Sequence, residues 1–293
     1  MRCSLCPRRC NALRTESAAE GRCAMPSLPV VARAALHFWE EPPISGKRGS
    51  GTVFFSGCPL GCVFCQNEVI SHENFGKAIS VESLRAIFAD LKAQGAHNIN
   101  LVNPTHFAHA IRRALDVPPG IPVVWNTGGY ERLETLGAME GRVDIYLPDL
   151  KYTRTETAAR CSDAPDYPET AKAAIAEMVR QVGGCTFDEE GMLRRGVIIR
   201  HLILPGRLAE AKEVMDWVAE TFPPGMVLFS LMSQYTPWGK AKELPGLNRR
   251  LRPSEIRAAQ DYMAQLGLEG FTQDDAAAKS EYIPNFDLTG VEQ

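Results

Sequence analysis

From residue 51 onward, short β-branched or aromatic runs alternate with amphipathic helical patterns, and this alternation restricts the fold more than any other feature of the chain. The strand candidates are 52–56, 98–102, 122–126, 143–147, 197–204 and 226–231, with helix candidates at 80–94, 105–115, 130–139, 168–182 and 207–221. Ser80 opens the first helix as an N-cap, and Leu84, Ile87, Phe88 and Leu91 follow it at helical spacing. Strands alternating with helices build βαβ units around a parallel sheet. Six of them predict an α/β fold, a partial (β/α)6 TIM-like barrel; a complete barrel or a doubly wound sheet fits the same order.

Two regions stand outside that alternation. Residues 1–50 form an N-terminal Cys-rich segment with four cysteines and little periodicity. After the core at 51–235, the chain turns irregular at Thr236-Pro237-Trp238-Gly239. The extension at 236–293 then holds one helix, 253–265, and a polar tail. Residues 184–196 read as a loop or hairpin insertion, and no internal repeat is visible.

The chain has 293 residues, 45% of them hydrophobic, enough for one large core or two smaller ones. A formal charge of -3 offers no footprint for nucleic acid or an anionic membrane. Charges such as Arg33 and Arg200 interrupt the apolar runs, so no membrane span is expected. Met1 is followed at once by Arg2 and Cys3, which does not resemble a signal peptide, and a cytoplasmic location is expected. In that setting nine cysteines argue for metal ligation over a disulfide framework.

Cys58, Cys62 and Cys65 form a C-x3-C-x2-C loop directly after the first strand of the alternation. A closed structural zinc site or a fully protein-ligated cubane needs four protein ligands, so three thiolates leave one metal position open. Gly57 and Gly61 let the backbone wrap closely. A zinc completed by a distant ligand, or buried cysteines packed as small hydrophobes, are the plainer readings. Cys3, Cys6, Cys10 and Cys23 are spaced x2, x3 and x12. They suffice for a second site holding either zinc or an auxiliary [4Fe-4S] cluster. Cys161 and Cys185 read as structural.

The C-x3-C-x2-C spacing, with Phe64 just before the last cysteine, resembles the signature of the radical S-adenosylmethionine superfamily. The resemblance implies a [4Fe-4S] cluster on Cys58, Cys62 and Cys65 whose open iron chelates S-adenosylmethionine. Reductive cleavage would give methionine and a 5′-deoxyadenosyl radical, and Phe64 would lie beside the adenine. Within the superfamily the chain is most similar to the pyruvate formate-lyase activating enzymes. Asp149-Leu150-Lys151 matches their Asp-Leu-Lys motif, and Asn126-Thr127-Gly128 their Thr-Asn-Gly-like turn. Leu204-Pro205-Gly206 and Asn67 match as well. An uncharacterised branch of homologues shares the stretch at 35–46 and Asn103-Pro104-Thr105-His106. The implied cofactor contacts are Phe64, Asn103, Asn126, Asp149 and Lys151. Asn103 stands where the family has a Gly-Gly-Glu-type motif, and Ser233-Gln234-Tyr235 where the activating enzymes have a histidine.

Asp149 and Lys151 are two apart, so on a strand end they share a side. Their plainer reading is a surface ion pair. His106 could face the cofactor or serve the structure beside Thr105. His201 could line the barrel or be a satisfied core histidine, with Arg200 facing the other way. His37, Trp39, Glu40 and Glu41 read as packing of the N-terminal extension, as an interaction surface or as a lip over the site. His72, His97 and His109 form no constellation, and no catalytic residue is identified.

Function follows from the resemblance in three rival forms. The first is an activase that abstracts a glycine hydrogen from a glycyl-radical enzyme. The second is a radical enzyme acting on a small molecule or another peptide, and the third a non-catalytic iron–sulfur redox or scaffold module. Both enzyme readings imply a flavodoxin- or ferredoxin-type reductant.

Overall fold

The computed structural model describes residues 2–17, 20–272 and 284–291. Its strands are β1 (Val30–His37), β2 (Ser50–Phe55), β3 (Lys77–Ala78), β4 (Ile99–Val102) and β5 (Val123–Thr127). They continue as β6 (Ile145–Pro148), β7 (Thr186–Phe187), β8 (Leu193–Leu202), β9 (Leu228–Met232) and β10 (Gly270–Thr272). The helices are α1 (Pro42–Ser45), α2 (Glu68–Ser71), α3 (Val81–Ala93), α4 (Ala108–Ala114) and α5 (Leu133–Met139). After them come α6 (Thr155–Ser162), α7 (Tyr167–Val182), α8 (Leu208–Thr221) and α9 (Pro253–Gln265).

All six expected strands are present, as β2, β4, β5, β6, β8 and β9. They pair in parallel in that order, and β10 continues the parallel run. The sheet order is β10-β9-β8-β6-β5-β4-β2-β1-β3, with β7 paired to β8 as a hairpin. Its edges, β3 and β10, do not meet, so the structure is an open partial barrel. Three members are unexpected, the short β3 and β10 and the long β1, which is antiparallel to β2 and drawn from the segment that looked aperiodic; for β1 the reason is visible. Its sequence Val-Val-Ala-Arg-Ala-Ala-Leu-His has one charge and three alanines, so its period of two is faint.

Strand alternation divides the core. Val53, Leu101, Trp125, Tyr146, Ile199 and Phe229 pack outward against Leu84, Ile111, Leu136, Ile175 and Val214 of the helices. Each such burial is worth roughly 1.5–3 kcal/mol. Val124, Ile145, Leu147, Ile198 and Leu228 point into the barrel, where they meet Ile44 of α1. The segment around α1 therefore enters the barrel interior, and Asn98 Nδ2 donates to the Ile44 carbonyl at 2.8 Å. Gly46 ends the segment at φ 48°, where a Cβ would lie 2.6 Å from Met192 Sδ. No helix among the described residues is long and apolar enough to cross a membrane.

Candidate functional site

The loop after β2 and the carboxyl ends of β4, β5, β6 and β8 surround one cavity, where open α/β sheets and barrels build their sites. Cys58, Cys62, Cys65, Asn103, Asn126, Asp149, Lys151 and Arg200 are on its wall. A second cavity of about 260 Å³ is lined by the same three cysteines, far larger than the ~30 Å³ share of one water.

Local contacts fix the loop. Arg8 donates to the carbonyls of Pro59 and Leu60 and to that of Ser162 at the end of α6. Val63 N–H donates to the Cys161 carbonyl at 2.9 Å. Gly57 has φ 77°, and a Cβ there would lie 2.8 Å from the Cys23 carbonyl oxygen, so the turn depends on glycine.

Each loop sulfur receives a donor. Ser162 Oγ reaches Cys62 at 3.1 Å, Ser71 Oγ reaches Cys65 at 3.2 Å, and Leu60 N–H reaches Cys58 at 3.4 Å. Burial, reinforced by the neighbouring thiols, raises the Cys58 pKa and pushes that of Cys65 up to about 12. A bound metal would reverse that, since coordination deprotonates a thiol outright. Among the described residues no three His, Cys, Asp or Glu side chains converge as they would around a single ion. A cubane has no such need, because each of its irons takes its thiolate at a separate corner. Three donor-supplied thiols beside a cavity of this size fit a cluster.

The polar wall is an ion network. Arg200 Nε donates to Asp149 Oδ1 at 2.9 Å, its Nη2 to Asn126 Oδ1 at 2.7 Å, and its Nη1 to Glu40 Oε2 at 3.3 Å. Lys151 Nζ donates to Asp149 Oδ2. Burial would raise the Asp149 pKa, but Arg200 and Lys151 outweigh it and hold the carboxyl below its usual range. Burial would likewise lower Lys151, and Asp149 outweighs it and raises the amine. Both therefore stay charged.

The other sequence candidates separate. Asn103 sits on the wall at φ 58°, its Nδ2 donating to the Gly57 carbonyl. Phe64 is buried edge-on to Tyr235 and Tyr152, at 5.9 and 6.5 Å, behind the cysteines and off both cavity walls. His106 faces away from the cavity: its Nε2 bonds the Ser56 carbonyl at 2.7 Å, and burial lowers its pKa to about 3. His201 is a satisfied core histidine, its Nδ1 bonded to the Leu150 carbonyl at 2.7 Å. Its neighbour Arg200 is the residue that lines the barrel. The inward parity of Ile198 would have revealed it.

Glu41 is buried and Glu40 nearly so where the extension packs into the barrel interior, whereas Trp39 is 57% exposed. Burial raises both carboxyls, against the pull of Arg200. Cys161 is buried in the helix-side core, and Cys185 packs partly buried near the Val197 carbonyl.

Glu131 escaped the sequence reading altogether. It is 1% exposed and accepts hydrogen bonds from Thr105 and Thr127, two residues of the cavity wall, and from Trp125. Burial outweighs those donors and raises its pKa from 4.5 to about 7. A folded-state value above the unfolded one means that this group's contribution is full below pH 4.5 and is lost as pH rises to about 7. Glu131→Gln is therefore expected to remove roughly 3 kcal/mol of pH-dependent stability across that window, read by urea unfolding at pH 4.5, 6 and 8. An unchanged slope would refute the assignment.

Comparison with known proteins places the site in a lineage. A family model described as a 4Fe-4S single cluster domain matches residues 44–115, which include the cysteine loop. The chain is 33% identical over 244 residues to the uncharacterized protein MJ0674 of Methanocaldococcus jannaschii, covering 80% of this chain and 67% of that one. Its fold is similar to that of a radical SAM methyltransferase from Sphaerobacter thermophilus, with TM-score 0.50 and 16% identity over 76% of this chain and 66% of the other. It is equally similar to Streptococcus suis SuiB bound to S-adenosylmethionine, with TM-score 0.50 and 16% identity. That match covers 76% of this chain and 50% of SuiB. The chain thus spans less than two thirds of either solved structure. With that kinship, the chain belongs to the family of the M. jannaschii protein; a 4Fe-4S cluster-domain model covers its C-x3-C-x2-C loop, and its fold is the one seen in solved radical SAM enzymes.

Proposed function

We propose that the chain is a radical enzyme that cleaves S-adenosylmethionine reductively and abstracts hydrogen from a substrate, with residues 51–235 as the catalytic unit. The observation carrying this reading is that Cys58, Cys62 and Cys65 share one cavity wall with Asn103, Asn126, Asp149 and Lys151. The three cysteines would hold the [4Fe-4S] cluster, leaving one iron for the amino and carboxylate groups of S-adenosylmethionine. When bound, the cluster supplies one electron, taken from a flavodoxin- or ferredoxin-type reductant, that splits the sulfonium into methionine and a 5′-deoxyadenosyl radical.

The chain's own residues bind, orient and exclude water. Asp149 and Lys151, both charged, offer an acceptor for ribose hydroxyls and a donor for a carboxylate. Asn103 and Asn126 add neutral polar contacts, with Asn126 held by Arg200. Phe64, Tyr152 and Tyr235 form an apolar buttress that keeps water from the back of the loop. The donors from Ser71, Ser162 and Leu60 would stabilise charge on the sulfurs and so tune the reduction potential.

The similarity to activating enzymes supports a glycine Cα–H of a glycyl-radical enzyme as the target. The rival target is a small molecule or another peptide; in the barrel interior Asn100 and Ser230 face the buried carboxyls of Glu40 and Glu41. Anaerobically reconstituted protein given dithionite and S-adenosylmethionine is expected to yield methionine and 5′-deoxyadenosine in equal amounts. Fully iron-loaded protein that yields neither would refute the enzyme reading. A glycyl-radical EPR signal on a co-encoded partner would decide between the two targets.

A further inference from the structure

Among the described residues the four N-terminal cysteines do not converge on a single ion, yet Cys3, Cys10 and Cys23 all lie within electrostatic reach of Cys6. Antiparallel pairing of Arg2 with Leu13 and the bond from Cys3 N–H to the Ala12 carbonyl, 2.9 Å, fold the segment back on itself. Two sulfurs already take donors: Arg22 N–H reaches Cys10 at 3.4 Å, and Arg14 Nη1 reaches Cys3 at 3.6 Å. Arg9 and Asn11 flank Cys10 with φ 45° and 51°, and Ala24 follows Cys23 with φ 50°. Left-handed backbone at non-glycine residues costs on the order of 1–3 kcal/mol each and persists only where the surroundings impose it. Arg8, Arg14, Arg132 and Thr135 tie the segment to the barrel through backbone carbonyls, and metal binding can supply the further free energy that holds these turns.

The position of Cys23 adds a role. It lines the 260 Å³ cavity that Cys58, Cys62 and Cys65 also line, so one cysteine of the N-terminal set shares a space with the loop. Around them the charge reverses: residues 2–22 carry five arginines and two glutamates in a chain of net charge -3. Arg14 is buried, Arg8 bonds loop carbonyls and Arg22 pairs with Asp163, so the exposed charge is the small basic patch of Arg2 and Arg9, which suits an acidic redox protein. Zinc would stabilise the segment but is redox-inert.

We propose that Cys3, Cys6, Cys10 and Cys23 hold a second [4Fe-4S] cluster that relays electrons to the cluster on the loop. One electron from the external reductant takes the N-terminal cluster from its oxidised to its reduced state. The same electron passes on to the loop cluster and returns the relay to its oxidised state, with no net proton or bond change. The inference rests on the enzyme reading above, and its test separates the two.

In anaerobically reconstituted full-length protein, iron and sulfide are expected at about eight each per chain, falling to about four in Cys6→Ala/Cys10→Ala and, independently, to about four in Cys58→Ala/Cys62→Ala. The reduced wild type is expected to show EPR broadening from two interacting clusters, lost in either variant. Cys6→Ala/Cys10→Ala should keep the spectral change on adding S-adenosylmethionine and keep 5′-deoxyadenosine formation with dithionite, while losing it with reduced flavodoxin. About four irons with one zinc in the wild type, or four irons alone, would overturn the proposal without touching the loop cluster. This count needs no variant to fold. Equal turnover of wild type and a folded variant with reduced flavodoxin would remove the relay.

Discussion

Cys62→Ala is expected to lower 5′-deoxyadenosine formation to the background of dithionite and S-adenosylmethionine without protein. The sulfur lies within the loop and on both cavities. With two thiolates left, a second iron would lose its protein ligand, and the cluster would be lost or converted. The fold should survive, because the change deletes one small buried group and leaves Ser162 Oγ bonded to Tyr152 Oη at 2.8 Å. A loss of about 1–2 kcal/mol is expected, within the usual range for a point change. The informative measurements are iron content, far-UV circular dichroism and product together. A variant that stays folded, loses about half its iron and makes no product fits both clusters. One that keeps turning over at the wild-type rate would show that Cys62 is not a ligand.

The parts of this molecule legible in the sequence are those set by near neighbours in the chain. The six parallel strands declared themselves through β-branched runs, and α7 and α9 were located within a residue of their observed bounds. Ser80 capped α3 as expected, its Oγ accepting from Ser83 N–H at 3.0 Å. The cysteine loop was visible because metal spacing is local. What was missed depends on partners far along the chain. Glu40 sits inside the barrel because Arg200, 160 positions later, meets it there. The choice between His201 and Arg200 as the barrel-lining residue stayed open in the sequence because strand parity is fixed only once Ile198 is known to face inward. Glu131 looks like an ordinary loop acid until Thr105 and Trp125 close over it. β1 is too weakly patterned to be read before β2 is there to pair with it.

Arg200→Gln is expected to be the most destabilising single change at the polar wall, and to be more harmful at high pH than at low pH. The guanidinium is 14% exposed and bonds two carboxylates and an amide on three different elements. Removing one partner of a buried charge network costs about 3–5 kcal/mol, because the others stay buried and unpaired. The pH dependence follows from what remains. Burial already raises Glu40 and Glu41, and Arg200 is the charge that restrains the rise. Without it their folded-state values climb further above the unfolded ones, so stability is retained below about pH 4 and lost progressively as pH rises. Asp149 gives the same sign, since its depressed value contributes stability only above the unfolded value and Arg200 is the main favourable charge behind it. The variant's deficit in urea unfolding should therefore be several kcal/mol at pH 8 and clearly smaller at pH 5. Equal deficits at the two values would mean that the network carries no net electrostatic stabilisation. Glu40→Gln in the same chain should recover part of the loss, because the two side chains are directly bonded and their effects cannot add. S-adenosylmethionine affinity should fall in the single variant as well, since Arg200 fixes both Asn126 and Asp149 on the cavity wall. In the double variant, stability returns before affinity does: removing Glu40 relieves the excess negative charge but leaves Asn126 and Asp149 without their clamp.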